Sequence, residues 1–117
     1  MNNLEFAKEL EKRTRNFAIK IIHFSGKLPN TPEARVVRNQ VTKSGTSIGA
    51  NYREANRSRS KADFRDRIAI CESEASETQY WLQLISDTSW LKKEQIQPVL
   101  DECRQLLAIF TAIRKKC

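Results

Sequence analysis

The chain has 117 residues, 39% of them hydrophobic and 30% charged, with 21 Lys and Arg against 14 Asp and Glu for a formal net charge of +7. One domain suits that length, because each of two independent cores would be marginally small. Three Gly and three Pro supply too few breaks for a β-sandwich, so few and long elements are expected.

Apolar residues recur at alternating spacings of three and four, the pattern of amphipathic helices packed along their length. In the first segment the seam is Ala7, Leu10, Thr14, Phe17, Ile21, Phe24 and Leu28, ending at Leu28-Pro29-Asn30. A second helix starts with Thr31 as its cap, Pro32 in its first turn and Glu33 at the positive end of its dipole. It runs to about Ala55 through Val37, Val41, Ser44, Ile48, Asn51/Tyr52 and Ala55. Its middle is rich in small residues, among them Gly45 and Gly49. Each Gly costs a helix about 1 kcal/mol relative to Ala, which points to close approach of another backbone or to a local kink.

Ser60, with Asp63 three residues on, forms a variant capping box for a third helix. Its seam is Phe64, Ile68, Cys71, Ala75, Thr78, Leu82 and Ile85, and a second stripe runs beside it at Ile70, Glu74, Glu77, Trp81 and Leu84. Two adjacent stripes make a wider arc than one neighbouring helix covers, a first hint of a subunit interface. The fourth helix follows a break at Asp87-Thr88-Ser89 and carries Ile96, Val99, Cys103, Leu106, Phe110 and Ile113, widened by Leu100, Leu107 and Ile109. Pro98 inside this pattern implies either a regular helix beginning near Gln97 or kinked first turns. Four such helices, each roughly 33–40 Å long at 1.5 Å per residue, joined by short connections, predict an all-α, antiparallel up-and-down four-helix bundle spanning residues 1–117.

No run approaches the roughly 20 apolar residues that cross a bilayer. The N-terminal Met-Asn-Asn-Leu-Glu-Phe lacks the basic-then-apolar pattern of a secretory signal. Cys71, Cys103 and Cys117 make neither a CxxC metal site nor an even disulfide framework. Cys71 and Cys103 fall on apolar stripes, where Cys behaves as a small hydrophobe. A reduced, cytoplasmic protein is expected.

Catalysis lacks its usual parts. The chain has one histidine, His23, and no HExxH, Walker or dinucleotide motif. Glu74 and Glu77 on the second stripe, with Glu54 near the end of the second helix, are the unusual carboxylates. Di-metal bundles pair inward glutamates with Glu-x-x-His motifs, absent from this sequence. A structural polar network of Gln40, Asn51, Glu54, Glu74 and Glu77, within the bundle or across subunits, is therefore expected, with Arg53, Arg67 and Thr78 as further partners. No metal, no cofactor and no enzymatic activity are expected.

Charge is unevenly distributed. Residues 35–67 hold nine bases against three acids, and residues 68–102 hold two bases against seven acids. Within the basic stretch Arg53, Arg57, Arg59, Lys61 and Arg65 cluster at one end of the expected bundle. Such a patch contacts phosphates through counterion release, with little sequence selectivity. No recognition helix, zinc finger or base-stacking motif accompanies it.

From Gln40 to Leu84 the chain carries a further pattern: Gln40-Val41, Ser44, Ser47-Ile48, Ala50-Asn51 with Glu54-Ala55, then Arg57 and Ser60-Lys61-Ala62-Asp63-Phe64. It continues through Ile68-Ala69-Ile70, Glu74-Ala75, Glu77-Thr78, Tyr80-Trp81-Leu82 and Leu84. This resembles the bacterial four-helix-bundle proteins known as 23S ribosomal RNA intervening-sequence proteins, relatives of the accessory variability determinants of diversity-generating retroelements. With the Phe17 helix and the Leu28-Pro29 break the similarity covers nearly the full chain. The resemblance implies an up-and-down bundle that forms homopentameric rings, with no catalytic residues to carry over. The retroelement relatives bind nucleic acid and a reverse transcriptase through a basic surface. That implies RNA or DNA as a partner of this chain and, as the alternative, a structural adaptor role for a reverse transcriptase.

Overall fold

The computed structural model describes residues 2–117, which form four helices: α1 (Asn3–Ser25), α2 (Pro32–Ala55), α3 (Lys61–Asp87) and α4 (Lys93–Lys116). Three of the four starts are capped by a side chain. Asn2 Oδ1 accepts from the Glu5 N–H at 2.8 Å, Thr31 Oγ1 from Ala34 at 3.1 Å and Ser60 Oγ from Asp63 at 3.0 Å. Each cap satisfies a backbone donor the helix leaves open and contributes about 1 kcal/mol. α4 begins at Lys93, ahead of Pro98 and not near Gln97. The missing Pro98 N–H leaves the Glu94 carbonyl without its intrahelical donor, but the helix continues through it.

The helix pairs run antiparallel, as their contacts show. Gly45 of α2 lies against Ile21 of α1 while Gly49, one turn later, lies against Thr14, one turn and more earlier. Ser44 meets Thr78 and the Ile48 carbonyl meets Cys71, so α2 and α3 cross in opposite senses. Ala75 meets Cys103 and Glu72 meets Thr111 between α3 and α4. The result is an up-and-down bundle measuring 44 × 25 × 21 Å. α1 and α4 close the ring most loosely. There Arg13 reaches across, with Nε 2.8 Å from Glu102 Oε2, and Nη2 2.8 Å from Glu102 Oε1 and 2.7 Å from Gln105.

The core follows the seams. Leu10, Phe17, Ile21, Phe24, Val41, Ile48, Tyr52, Ile68, Leu82, Ile85, Leu106 and Phe110 are all buried. Tyr52 and Phe110 pack edge to face with ring centroids 5.4 Å apart, a favoured aromatic geometry. Cys71 and Cys103 are buried free thiols, and desolvation pushes both up to about 12, so they stay protonated and unreactive. No helix is long and apolar enough to cross a membrane among the described residues.

The buried polar groups are hydroxyls, not carboxylates. Ser44 and Thr78, both fully buried, share a hydrogen bond of 2.9 Å across α2 and α3. Thr78 also donates to the Glu74 carbonyl at 2.7 Å. The network expected among Gln40, Asn51, Glu54, Glu74 and Glu77 is not assembled within the chain. Glu54 and Glu77 are exposed, Glu74, Gln40 and Asn51 are half-buried, and no hydrogen bond joins any two of the five. Asn51 instead bonds the Ser47 carbonyl at 2.9 Å and accepts from Arg67 at 3.2 Å. The physical reason is placement: at Ile70 and Glu77 the second stripe of α3 lies outside the arc its neighbours cover, and Glu54 is exposed on α2, so these carboxylates keep water and need no internal tie. Glu74 alone feels partial burial, which, with the nearby Glu77 charge, raises its carboxyl above the ordinary range.

Candidate nucleic-acid interface

The α2–α3 connection, the start of α1 and the end of α4 all lie at one end of an up-and-down bundle. Antiparallel packing therefore gathers bases from distant parts of the sequence. Arg53, Arg57, Arg59, Lys61 and Arg65 are all exposed, and among the described residues none stands in an ion pair. The structure divides them between two grooves.

Arg59, Lys61 and Arg65 line the first, of about 750 Å³, with Phe64, Lys116 and Cys117. Ser60 caps α3 here, so the amide end of a 27-residue helix adds its positive dipole to the four charges. Arg53 and Arg57 line the second, of about 680 Å³, together with Lys12 and Arg15 of α1. Arg57 also borders a third depression shared with Arg59, where Glu54, Asp63 and Asp66 dilute the charge.

Lys12, Arg15 and Lys116 are the bases that reading along the chain missed. Nothing in their local sequence marks them; they join the patch only because α1 and α4 return to the same end. Lys116 reads in sequence as a complement to the dipole of α4, and it serves the groove as well.

Several other bases have structural work. Arg38 donates to the carbonyls of Ser25 at 3.2 Å, Leu28 at 2.8 Å and Pro29 at 3.2 Å. It thus satisfies the end of α1 and the turn that follows, where the last helical carbonyls have no intrahelical donor. Arg114 pairs with Glu72, which also accepts from Thr111 at 2.7 Å. That pairing holds the Glu72 carboxyl below its usual range, the Arg114 hydrogen bond being the larger cause and Thr111 the next. Arg13 is committed to Glu102 and Gln105. The usable positive surface is accordingly smaller than the net charge suggests.

Glu54, Glu74 and Glu77 do not form a cage with one another. Among the described residues no group of three or more His, Cys, Asp or Glu side chains is arranged to hold a metal ion. His23 is exposed on α1. On the outer side of α3, Ile70 is 40% and Tyr80 57% exposed, and Tyr80 packs edge to face on Trp81 at 5.0 Å. The Trp81 indole N–H is buried without an acceptor.

Residues 8–112 match the family model for the 23S rRNA-intervening sequence protein. Among solved structures, the chain is similar to the crystal structure of a protein with unknown function from the S23 ribosomal protein family of Bacteroides thetaiotaomicron. The two share 34% sequence identity and superpose with a TM-score of 0.83, over 90% of this chain and 97% of the other. Among curated proteins there is no significant match. With a family model spanning nearly the whole chain and a relative of similar length and the same fold, the chain belongs to the 23S rRNA-intervening sequence protein family.

Proposed function

We propose that this protein is a self-associating, non-enzymatic binder of nucleic acid that holds RNA or DNA through its basic end without reading sequence. The observation that carries the proposal is the set Arg53, Arg57, Arg59, Lys61 and Arg65, all exposed, unpaired and opening onto adjoining grooves. Unpaired surface cations beside a concave wall release counterions from a phosphate backbone, and the gain is electrostatic and sequence-independent. The family's link to ribosomal RNA insertions makes RNA a natural first ligand to test.

Self-association is supported by the outer side of α3, where Ile70 of the second stripe stands exposed and Tyr80, also exposed, packs on Trp81. A ring of five copies is the assembly the family resemblance implies. It would repeat the basic end once per subunit and multiply weak contacts into avidity.

A mobility-shift titration with RNA and DNA over a series of salt concentrations tests the binding. A shift at low salt that fades as salt rises is expected. No shift at low salt, or the same affinity after Arg57→Glu with Arg59→Glu, sinks the proposal. Light scattering tests the assembly, and the 13.6 kDa mass of a single chain at micromolar concentration contradicts it.

A further inference from the structure

The α1–α2 groove has a construction that the other basic surfaces lack. Its floor is made of Ala18 from α1 and Thr46, Gly49 and Ala50 from α2. No long side chain rises from that floor. The two rims are positive, Lys12 and Arg15 on α1 facing Arg53 on α2 and Arg57 in the connection just past its end. Gly49 sits so close to α1 that a β-carbon there would lie 3.1 Å from Thr14 Oγ1 and 3.3 Å from the Thr14 backbone carbon. The helices thus approach tightly beneath the floor, and the rims stand as near each other as two packed helices allow.

We propose that this groove cradles the sugar–phosphate backbone of a single nucleic-acid strand, gripped from both sides by the two pairs of cations. The inference rests on the nucleic-acid reading above and adds the α1 residues and the mode of grip. On α1 the rim charges of Lys12 and Arg15 are three residues apart, roughly 4.5 Å along the helix at 1.5 Å per residue, a spacing that lets neighbouring phosphates be met in turn. The small floor gives a backbone room to lie between the rims. No aromatic side chain lines the groove, so bases find no stacking platform there and face away from the protein.

Among the described residues Glu11 is the only acid lining the groove, and it supplies the sharpest test. Its Oε2 accepts from Asn56 Nδ2 at 2.8 Å, a bond that a glutamine in its place would keep. The carboxylate charge opposes a phosphate lying in the groove, so Glu11→Gln removes a repulsion and spares the local contact. A merely structural role for the groove predicts no gain from that change.

The experiment is fluorescence anisotropy with a fluorescein-labelled oligouridylate of about 20 nucleotides, titrated at several KCl concentrations, with circular dichroism to confirm that each variant keeps its helices. Lys12→Gln with Arg15→Gln is expected to lower the slope of log affinity against log salt by about 1.4, two phosphate contacts at about 0.7 each for a single strand. Glu11→Gln is expected to tighten binding at low salt, and Ala50→Glu, on the exposed floor, to weaken it. If the wild-type protein binds but its slope survives the α1 double variant and Glu11→Gln leaves affinity unchanged, the groove inference falls and the broader reading stands. If the wild-type protein fails to bind oligouridylate, RNA and DNA alike at the lowest salt, both fall. Should the double variant lose its helices, the Glu11→Gln result alone decides.

Discussion

Gly45 of α2 lies so close to Ile21 of α1 that a β-carbon on it would sit 2.9 Å from Ile21 Cγ1 and 3.0 Å from Cγ2. These are the branch carbons next to the Ile21 backbone, not the tip of a flexible chain, and an isoleucine in a helix has essentially one χ1 rotamer. The pairing explains why a helix tolerates a residue that weakens it by about 1 kcal/mol: the glycine is what lets α1 and α2 meet.

Gly45→Ala is therefore expected to destabilise the protein. The substitution gains about 1 kcal/mol in helix propensity, but overpacking a filled core costs about 1–3 kcal/mol, and no soft neighbour relieves it. A net loss of up to about 2 kcal/mol, read as a lower urea midpoint, is the outcome. Combining it with Ile21→Ala, which removes both Cγ atoms, should give a smaller loss than the sum of the two single changes. An Ala variant more stable than wild type would mean that the helices separate readily at this point.

The four helices, their seams and the starts of α2 and α3 were legible in the sequence because burial and capping are local and periodic. Leu10 to Phe24, Val37 to Ala55, Ile68 to Ile85 and Ile96 to Phe110 all fell on the buried side as their spacing predicts. What spacing does not encode is the width of the arc a neighbour covers. Glu77 was expected inside a polar network, yet it stands in solvent because α3 carries that part of its second stripe past the edges of its neighbours, and Glu54 is likewise exposed on α2. Arg53 and Arg57 carry a visible charge signal, whereas Lys12 and Arg15, nearly forty residues away in sequence, join them only through antiparallel packing. The close approach implied by the two glycines was legible, but its partners, Ile21 and Thr14, were not.

The tie between α2 and α3 is the hydroxyl pair Ser44 and Thr78, at 2.9 Å and with neither residue reachable by water. Removing one hydroxyl leaves the other buried with a poorer set of partners, since Ser44 otherwise has only the Val41 carbonyl at 3.5 Å. Thr78→Val keeps the shape and should cost about 1–3 kcal/mol, the price of an unsatisfied buried group. Pairing it with Ser44→Ala removes both polar atoms and should recover part of that loss, because replacing both partners with apolar groups is close to neutral. Denaturant melts of the two single variants and the double variant complete the cycle. Strict additivity would show that the hydroxyls do not depend on each other.

Glu72 gives the fold a component that depends on pH. Its carboxyl is held below the ordinary range by Arg114 first and by Thr111 second, so it ionises more readily folded than unfolded. A depressed folded value contributes stability that is fully present above the unfolded value, about 4.3 for a glutamate. That contribution is lost as pH falls through the lower folded value, where the carboxylate that α4 requires must take up a proton. Glu72 and Arg114 are both partly open to solvent, with side chains 21% and 40% exposed, so salt weakens the pairing. The expected measurement is a urea midpoint that drops between about pH 5 and pH 3, with part of the drop missing in Glu72→Gln and reduced in the wild type at about 1 M salt. The neutral glutamine still reaches Thr111 and Arg114, so the variant separates charge from hydrogen bonding. If Glu72→Gln follows the wild-type pH curve throughout, the link between α3 and α4 at this point is not ionic, and acid unfolding must begin at other carboxylates.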